Sequence, residues 1–236
     1  MPQSPTSVNT FNTCPKQYQA KYITKEVVFQ PTVATERGTR WHKQLEDRLR
    51  DKLDLPEETA HFEHLIRRIE LMKGEKLPET KLAIDDKFRP CEYSNRWYGG
   101  TADVIVIYHE ECKAVIFDYK TGKTKDSDDF RKQLTTYALM AFMAYPHIKQ
   151  IKVCYIFLDQ MEYSPIIGGK KGLTFTRKDI DEMKSDLAFN IEKIARATER
   201  NEWLPNPGGL CRPNKPAVNG GQPWCQVKSC PFWNKR

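Results

Sequence analysis

An acid and a lysine stand two residues apart in Asp118-Tyr119-Lys120, at the end of the apolar run Ala114-Val115-Ile116-Phe117. Side chains at i and i+2 of a strand point the same way, so a carboxylate and an ammonium would project together from the edge of a hydrophobic sheet. Burying such charges is costly unless they are paired or bind a metal. A second strand-like run, Val104-Ile105-Val106-Ile107-Tyr108, carries Asp103 just before it. These are parts that phosphodiester hydrolysis needs. A divalent metal polarises a phosphoryl oxygen and lowers the pKa of a bound water. Magnesium or manganese takes hard oxygen ligands, and magnesium keeps several waters, so one or two carboxylates suffice. A lysine beside the metal orients or deprotonates the water, or stabilises developing negative charge. Asp103, Asp118 and Lys120 supply these groups, and the backbone carbonyl of Tyr119 adds an oxygen. The plainer alternative is a surface ion pair between Asp118 and Lys120 at a strand end.

Two further groups bear on that choice. Gly38-Thr39-Arg40-Trp41-His42 places His42 in the first turn of a predicted helix. Imidazole ligates metals readily, although a lone helical histidine is more often structural. Gln133 and Tyr137 stand four apart on one helix face, where they could contact a phosphate or a base, or lie at a core boundary.

The ordered set Gly38-x-x-x-His42, Gly100-Thr101-Ala102-Asp103, Asp118-Tyr119-Lys120-Thr121-Gly122 and Gln133-x-x-x-Tyr137 resembles the PD-(D/E)XK nuclease superfamily. Within it the chain is similar to the RecB-type branch, which includes CRISPR-associated RecB-like exonucleases and related phage nucleases. The resemblance runs from Phe11 to Cys230. It implies that His42, Asp103, Asp118 and the Tyr119 carbonyl bind Mg2+ or Mn2+, that Lys120 is catalytic, and that Gln133 and Tyr137 support the site and the DNA. It also implies an α/β (α+β) fold. That fold has a restriction-endonuclease-like core, a mixed central β-sheet flanked by helices, a helical N-terminal region and a cysteine-rich C-terminal segment. Asp118 departs from the glutamate common at that position, an allowed variant. Glu79 and Glu46 are further carboxylates; Glu46, four residues after His42, reads better as a solvated acid.

Four of the seven cysteines, Cys14, Cys211, Cys225 and Cys230, lie in Pro- or Gly-rich surroundings near the two termini. Without a secretion signal, metal binding is a better reading than disulfides. Four thiolates suit zinc or iron–sulfur equally on chemistry alone. The resemblance favours a [4Fe–4S] cluster, since several members of the branch carry one early and three late cysteines. The spacing here is looser, with 13 residues between Cys211 and Cys225 and 4 between Cys225 and Cys230. Cys112 and Cys154 read as buried thiols, and Cys91 as a loop residue.

The elements that must hold these groups follow from periodicity. Helices are predicted over 11–21, 39–53, 58–73, 129–145 and 176–201, and strands over 81–88, 97–108, 113–119 and 151–158. The central order β-β-β-α-β implies a meander and then a crossover to a further strand. Residues 1–10 read as a disordered tail and 11–236 as one RecB-like nuclease domain. Its parts are a helical region to 75, the catalytic sheet and helix over 76–160, a connecting loop and helix over 161–203, and a metal-binding segment over 204–236.

The 236 residues carry 38 basic and 31 acidic side chains, a formal net charge of +7, which is a mild bias toward polyanions. No apolar stretch approaches the roughly 20 residues that span a bilayer, and the polar N-terminus lacks a signal-peptide core. The expected setting is cytoplasmic, the host cytoplasm if a phage encodes the chain. The expected function is a metal-dependent deoxyribonuclease, an exonuclease on single-stranded DNA ends. Trp97, Tyr98, Tyr119, Trp224, Phe232 and Trp233 are available to stack bases. Recombination, replication and CRISPR adaptation proteins are candidate partners, and the oligomeric state is open. The alternatives are a non-catalytic nucleic-acid-binding subunit on the same fold, and an enzyme using the thiolates for redox or radical chemistry.

Overall fold

The structure is a computed structural model. It describes residues 1–28, 30–121, 128–160, 162–164, 166–167, 170–171, 173–208, 211 and 225–233. Among these the helices are α1 (Pro5–Thr13), α2 (Pro15–Tyr18), α3 (Val33–Asp51), α4 (Glu63–Glu70), α5 (Asp128–Ala144) and α6 (Ile180–Arg200). The strands are β1 (Glu75–Ile84), β2 (Tyr98–Tyr108), β3 (Lys113–Lys120), β4 (Gln150–Phe157), β5 (Glu162–Ser164), β6 (Ile166–Ile167), β7 (Lys170–Lys171) and β8 (Leu173–Thr176). Gly122, Gly209, Pro213, Pro216, Gly220, Gly221, Pro223 and Trp224, all singled out in the sequence, lie outside the described residues.

Contacts divide the chain into two compact units: Met1–Gln3 with Ala34–Ser185, and Ser4–Val33 with Asp186–Arg236. The sequence suggests one domain over 11–236. The first unit is built on a mixed sheet. Strands β1, β2 and β3 form the antiparallel meander, and β4 lies parallel to β3 after α5. Both β5 and β8 pair antiparallel with β4, where a connecting loop is expected. Val104 to Ile107 are buried without alternation, as in a strand covered on both faces. On one side, Trp41, Leu45 and Leu49 of α3 and Leu65, Ile66 and Ile69 of α4 pack with Val104, Val106, Phe117, Tyr119 and Ile156. Helix α5 packs on β1, β2 and β4 through a stripe including Leu134, Ala138, Ala141 and Phe142. Burial at this level stabilises by about 1.5–3 kcal/mol for each large side chain.

An ionic network joins α3 to α4. Arg48, 8% exposed, donates to Glu63 at 2.6 Å and to Glu70 at 3.3 Å. Lys52 and Arg67 also reach Glu70. These partners hold the Glu70 carboxyl down to about 2, with the Arg48 hydrogen bond the largest cause.

In the second unit Phe11, Tyr18, Ile194 and Trp203 form a small core. The Tyr18 and Trp203 rings stack with centroids 5.9 Å apart.

Several boundaries differ from the sequence expectation, each for a local reason. The supposed disordered tail is mostly helix. Pro5 occupies the first turn of α1, and Ser4 and Ser7 exchange side-chain and backbone hydrogen bonds in a capping box. Ahead of it, Gln3 bridges to Tyr98. The predicted helix over 11–21 breaks at Cys14, which is extended because Pro15 follows it. Helix α3 begins at Val33, so His42 lies mid-helix rather than in a first turn. Strand β1 begins at Glu75, and residues 85–88 form its turn. The long C-terminal helix is preceded by a single tight turn, Arg177–Asp179, with Thr176 and Asp179 forming a capping box.

Candidate active site

The site forms where two strands part. Register pairs between β2 and β3 run from Tyr108↔Lys113 to Val104↔Phe117 and stop there. One step further stand Asp103 and Asp118. The Tyr119 backbone N–H donates to the Asp103 Oδ2 oxygen instead of to a strand carbonyl. A side chain thereby satisfies a buried amide that loses its ladder partner. That contact fixes Asp103, itself 8% exposed, against the Asp118-Tyr119-Lys120 segment.

Asp118 and Lys120 are two apart on β3, and they meet as the strand geometry demands. The Lys120 ammonium contacts Asp118 Oδ2 and lies 3.2 Å from Gln133 Oε1. The Gln133 amide nitrogen lies 3.2 Å from Asp118 Oδ1 and 3.3 Å from the Tyr137 hydroxyl. Helix α5 brings Gln133 and Tyr137 to the strand through their four-residue spacing. The Lys120 ammonium also sits 5.2 Å from the centre of the Tyr155 ring. Asp118 is 3% exposed. Burial pushes its carboxyl up, Asp103 adds to that, and the Lys120 charge opposes it. Tyr137 is buried.

His42 comes from α3. Its Nδ1 is 3.2 Å from Asp103 Oδ1, and its ring meets the Tyr119 ring edge-on at 5.5 Å. Burial pulls the His42 imidazole down, but the Asp103 hydrogen bond and the Asp103, Asp118 and Glu79 charges outweigh it, leaving the group raised. One ligand atom each from His42, Glu79 and Asp103 lies within 4.8 Å of the others, so these three could hold a metal ion. Burial first, and then Asp103 and Glu46, push the Glu79 carboxyl up to about 7. Glu46 is tied instead to Lys43 and Arg50, but its side chain is only 12% exposed, so it is not the solvated acid the sequence suggests. Gly38, one turn before His42, is a point of close approach. A Cβ there would stand 3.1 Å from Thr121 Oγ1, immediately after Lys120.

The profile of the PD-(D/E)XK nuclease superfamily matches residues 2–233. The chain belongs to the PD-(D/E)XK nuclease superfamily. Nucleases of this superfamily hydrolyse phosphodiester bonds and work with divalent metals, and the donor set at Asp103 suits such an ion. A solved structure of similar fold is a candidate exonuclease from Eubacterium rectale, 12% identical, with a TM-score of 0.51 over 89% of this chain and 85% of that one. LHK-Exo in complex with dAMP is 14% identical, with a TM-score of 0.41 over 85% of this chain and 93% of that one. No curated protein sequence matches the chain. Glu79, which the sequence offers only as a further carboxylate, is brought together with His42 and Asp103. It lies within β1 with no motif around it.

Of the aromatics expected to stack bases, Tyr98 and Tyr119 are core residues at 1% and 2% exposure and cannot do so. Tyr98 donates to Thr136 at 3.1 Å. Trp97 is half-buried against Phe88.

The four terminal cysteines all fall in the second unit of this nuclease. Cys225 and Cys230 are buried among Ala20, Val27 and Val227. Cys14 Sγ accepts from the Asn206 N–H at 3.4 Å. Burial pushes the Cys225 thiol up, and Cys211, Cys14 and Cys230 push it the same way. Cys154 is buried as expected, whereas Cys112 is half-buried in a turn with φ of 52°.

Proposed function

We propose that this nuclease is a RecB-type, metal-dependent exonuclease acting on single-stranded DNA ends, with a structural iron–sulfur cluster on its four terminal cysteines. The observation that carries the reading is the Lys120–Asp118–Gln133 arrangement set against Asp103 where β2 and β3 part. His42, Asp103, Asp118 and the Tyr119 carbonyl hold the cation, for which Mg2+ or Mn2+ fits the oxygen-rich set. Bound there, the cation polarises the phosphoryl group and acidifies a water. Lys120, held by Gln133 and facing the Tyr155 ring, orients that water and offsets the charge developing on phosphorus-bound oxygens. Gln133 and Tyr137 keep Lys120 and Asp118 in place.

One feature supports a single strand as substrate. Basic and aromatic side chains interleave near the β1–β2 turn. Arg96 lies 3.9 Å and Lys81 5.6 Å from the Tyr93 ring, and Lys184 lies 5.5 Å from Phe88. Such surfaces suit stacked bases and their backbone. The net charge of +7 favours a polyanion, single-stranded or duplex alike. For end-directed cleavage, the fold relative from Eubacterium rectale is described as an exonuclease. The test is cleavage of end-labelled single-stranded, duplex and circular DNA with Mn2+. Mononucleotides released from linear single strands, and none from circles, are expected. Wild-type cleavage by both Lys120→Ala and Asp118→Ala would refute the residue assignment.

Four cysteines in the second unit, two of them buried among apolar side chains, supply the thiol number that a [4Fe–4S] cluster takes. Protein purified without oxygen should be brown and contain iron and acid-labile sulfide. A colourless protein with one zinc per chain would establish the zinc alternative instead.

A further inference from the structure

We propose that Glu79 is a ligand of the catalytic cation, completing a His42–Glu79–Asp103 set on the β1 side of the site. The identity of the cation rests on the nuclease reading above; its binding by these three residues does not. Their ligand atoms lie within 4.8 Å of one another. An octahedral ion with metal–oxygen bonds of about 2.1 Å separates its ligands by about 3.0 Å for neighbours and about 4.2 Å for opposites. The three donors are therefore gathered to within about 0.6 Å of the widest separation that one such ion imposes.

The backbone at Glu79 points to the same conclusion. Register pairs between β1 and β2 run through Pro78↔Val104 and resume at Thr80↔Ala102. Glu79, which falls opposite Asp103 in that numbering, is stepped over. Its φ is 49°, a left-handed conformation inside a strand and an unfavourable one for a glutamate. Such strain persists where surrounding structure holds it, and it gathers at functional positions. Among the described residues no hydrogen bond or salt bridge reaches the Glu79 carboxylate. Arg50, which could neutralise it, is bound to Glu46 and to the Pro78 carbonyl. Half-buried Glu79 and buried Asp103 repel as carboxylates, and a cation between them removes that repulsion. One imidazole beside two carboxylates suits manganese better than calcium or magnesium.

The experiment is calorimetric titration of the full-length, chelator-treated protein with Mn2+, comparing wild type, Glu79→Gln and Glu46→Gln, with melting curves of each in the absence and presence of Mn2+. Glu79→Gln should weaken Mn2+ binding about tenfold or more and shrink the upward Tm shift that Mn2+ produces. Without metal it should melt no lower than wild type, because the amide removes the repulsion. Glu46→Gln should bind within about twofold of wild type, since its acid lies outside the donor set. Equal Mn2+ affinity in Glu79→Gln and wild type would overturn the assignment. So would equal weakening by both variants, which would make the effect one of net charge. Glu79-dependent Mn2+ binding in a protein that cuts no DNA would sink the nuclease reading and leave the ligand assignment standing. Cleavage with Glu79-independent binding would do the reverse.

Discussion

The two units gather their donor side chains in opposite ways. In the sheet unit the proposed donors are oxygen and nitrogen atoms carried on β1, β2, β3 and α3. Strand pairing and helix packing hold them before any ion arrives. In the other unit the proposed donors are sulfur atoms. Cys14 sits at the break between α1 and α2, and Cys225 and Cys230 flank a turn without helix or strand. Hard donors on regular elements make a site that can exchange ion, water and substrate while its scaffold stays put. Soft donors on irregular backbone suit a group that is itself part of the scaffold, because metal affinity then becomes folding energy. The contrast predicts that damage to the first site removes activity and spares the fold, and that damage to the second unfolds its own unit.

The largest effect should come from the sheet. Lys120→Ala should lower the cleavage rate about 10³-fold or more, about 4 kcal/mol of barrier. Far-ultraviolet circular dichroism should stay that of wild type. A variant that cuts within tenfold of wild type would break the distinction at its strongest point. For the thiol unit the corresponding change is Cys225→Ser, expected to cost several kcal/mol of local stability. Hydrogen exchange should speed up in α1 and in the C-terminal part of α6, while β2 and β3 remain protected. Uniform acceleration across both units would mean that the thiols do not stabilise the second unit selectively.

The contrast also explains what the sequence made legible. Asp118 and Lys120 were readable because a strand imposes a period of two, and Gln133 and Tyr137 because a helix places residues four apart side by side. The β-β-β-α-β core was readable from uninterrupted apolar runs such as Val104 to Ile107. Glu79 was legible only as a further carboxylate, since its placement depends on a left-handed residue interrupting a strand, and no glycine or asparagine marks the spot. Strands β5 and β8 were not legible, being three and four residues long and paired only through β4. Helix α1 was missed because its capping box, Ser4 with Ser7, uses serine where glutamate or glutamine is the usual signal. Arg48 had no marker either. Its burial depends on Glu63 and Glu70 arriving from another helix.

That network gives the next effect in size, and it belongs to the sheet unit alone. Arg48→Met leaves Glu63 and Glu70 without their buried partner and should cost about 3 kcal/mol in a denaturant melt. Its acid dependence has a definite sign. Glu70 is held down to about 2, below its usual 4.5, so the folded state resists protonation. The stability this confers is complete above about pH 4.5 and falls away as pH drops through the folded value near 2. The loss across that window should be about 2 kcal/mol. It should be smaller in Arg48→Met. An unchanged pH slope in the variant would show that Glu70 owes its low value to Lys52 and Arg67 instead.

The smallest effect tests how finely the sheet site is preset. Alanine at position 38 suits helix α3 by about 1 kcal/mol over glycine, but its Cβ would meet Thr121 Oγ1 at 3.1 Å. Contact that tight obliges Thr121 to give by a few tenths of an ångström. The gain in helix propensity and the crowding nearly cancel, so Gly38→Ala should melt within a few degrees of wild type. Thr121 is bonded directly to Lys120, so the displacement passes to the lysine backbone. Misplacing a reacting group by about 1 Å can cost about 10²-fold, and a fraction of that shift should slow cleavage by about three- to tenfold. Adding Thr121→Ala removes the obstructing hydroxyl and should return most of the rate. If Gly38→Ala cuts at the wild-type rate, the loop after Lys120 absorbs the strain, and the strand alone positions the lysine.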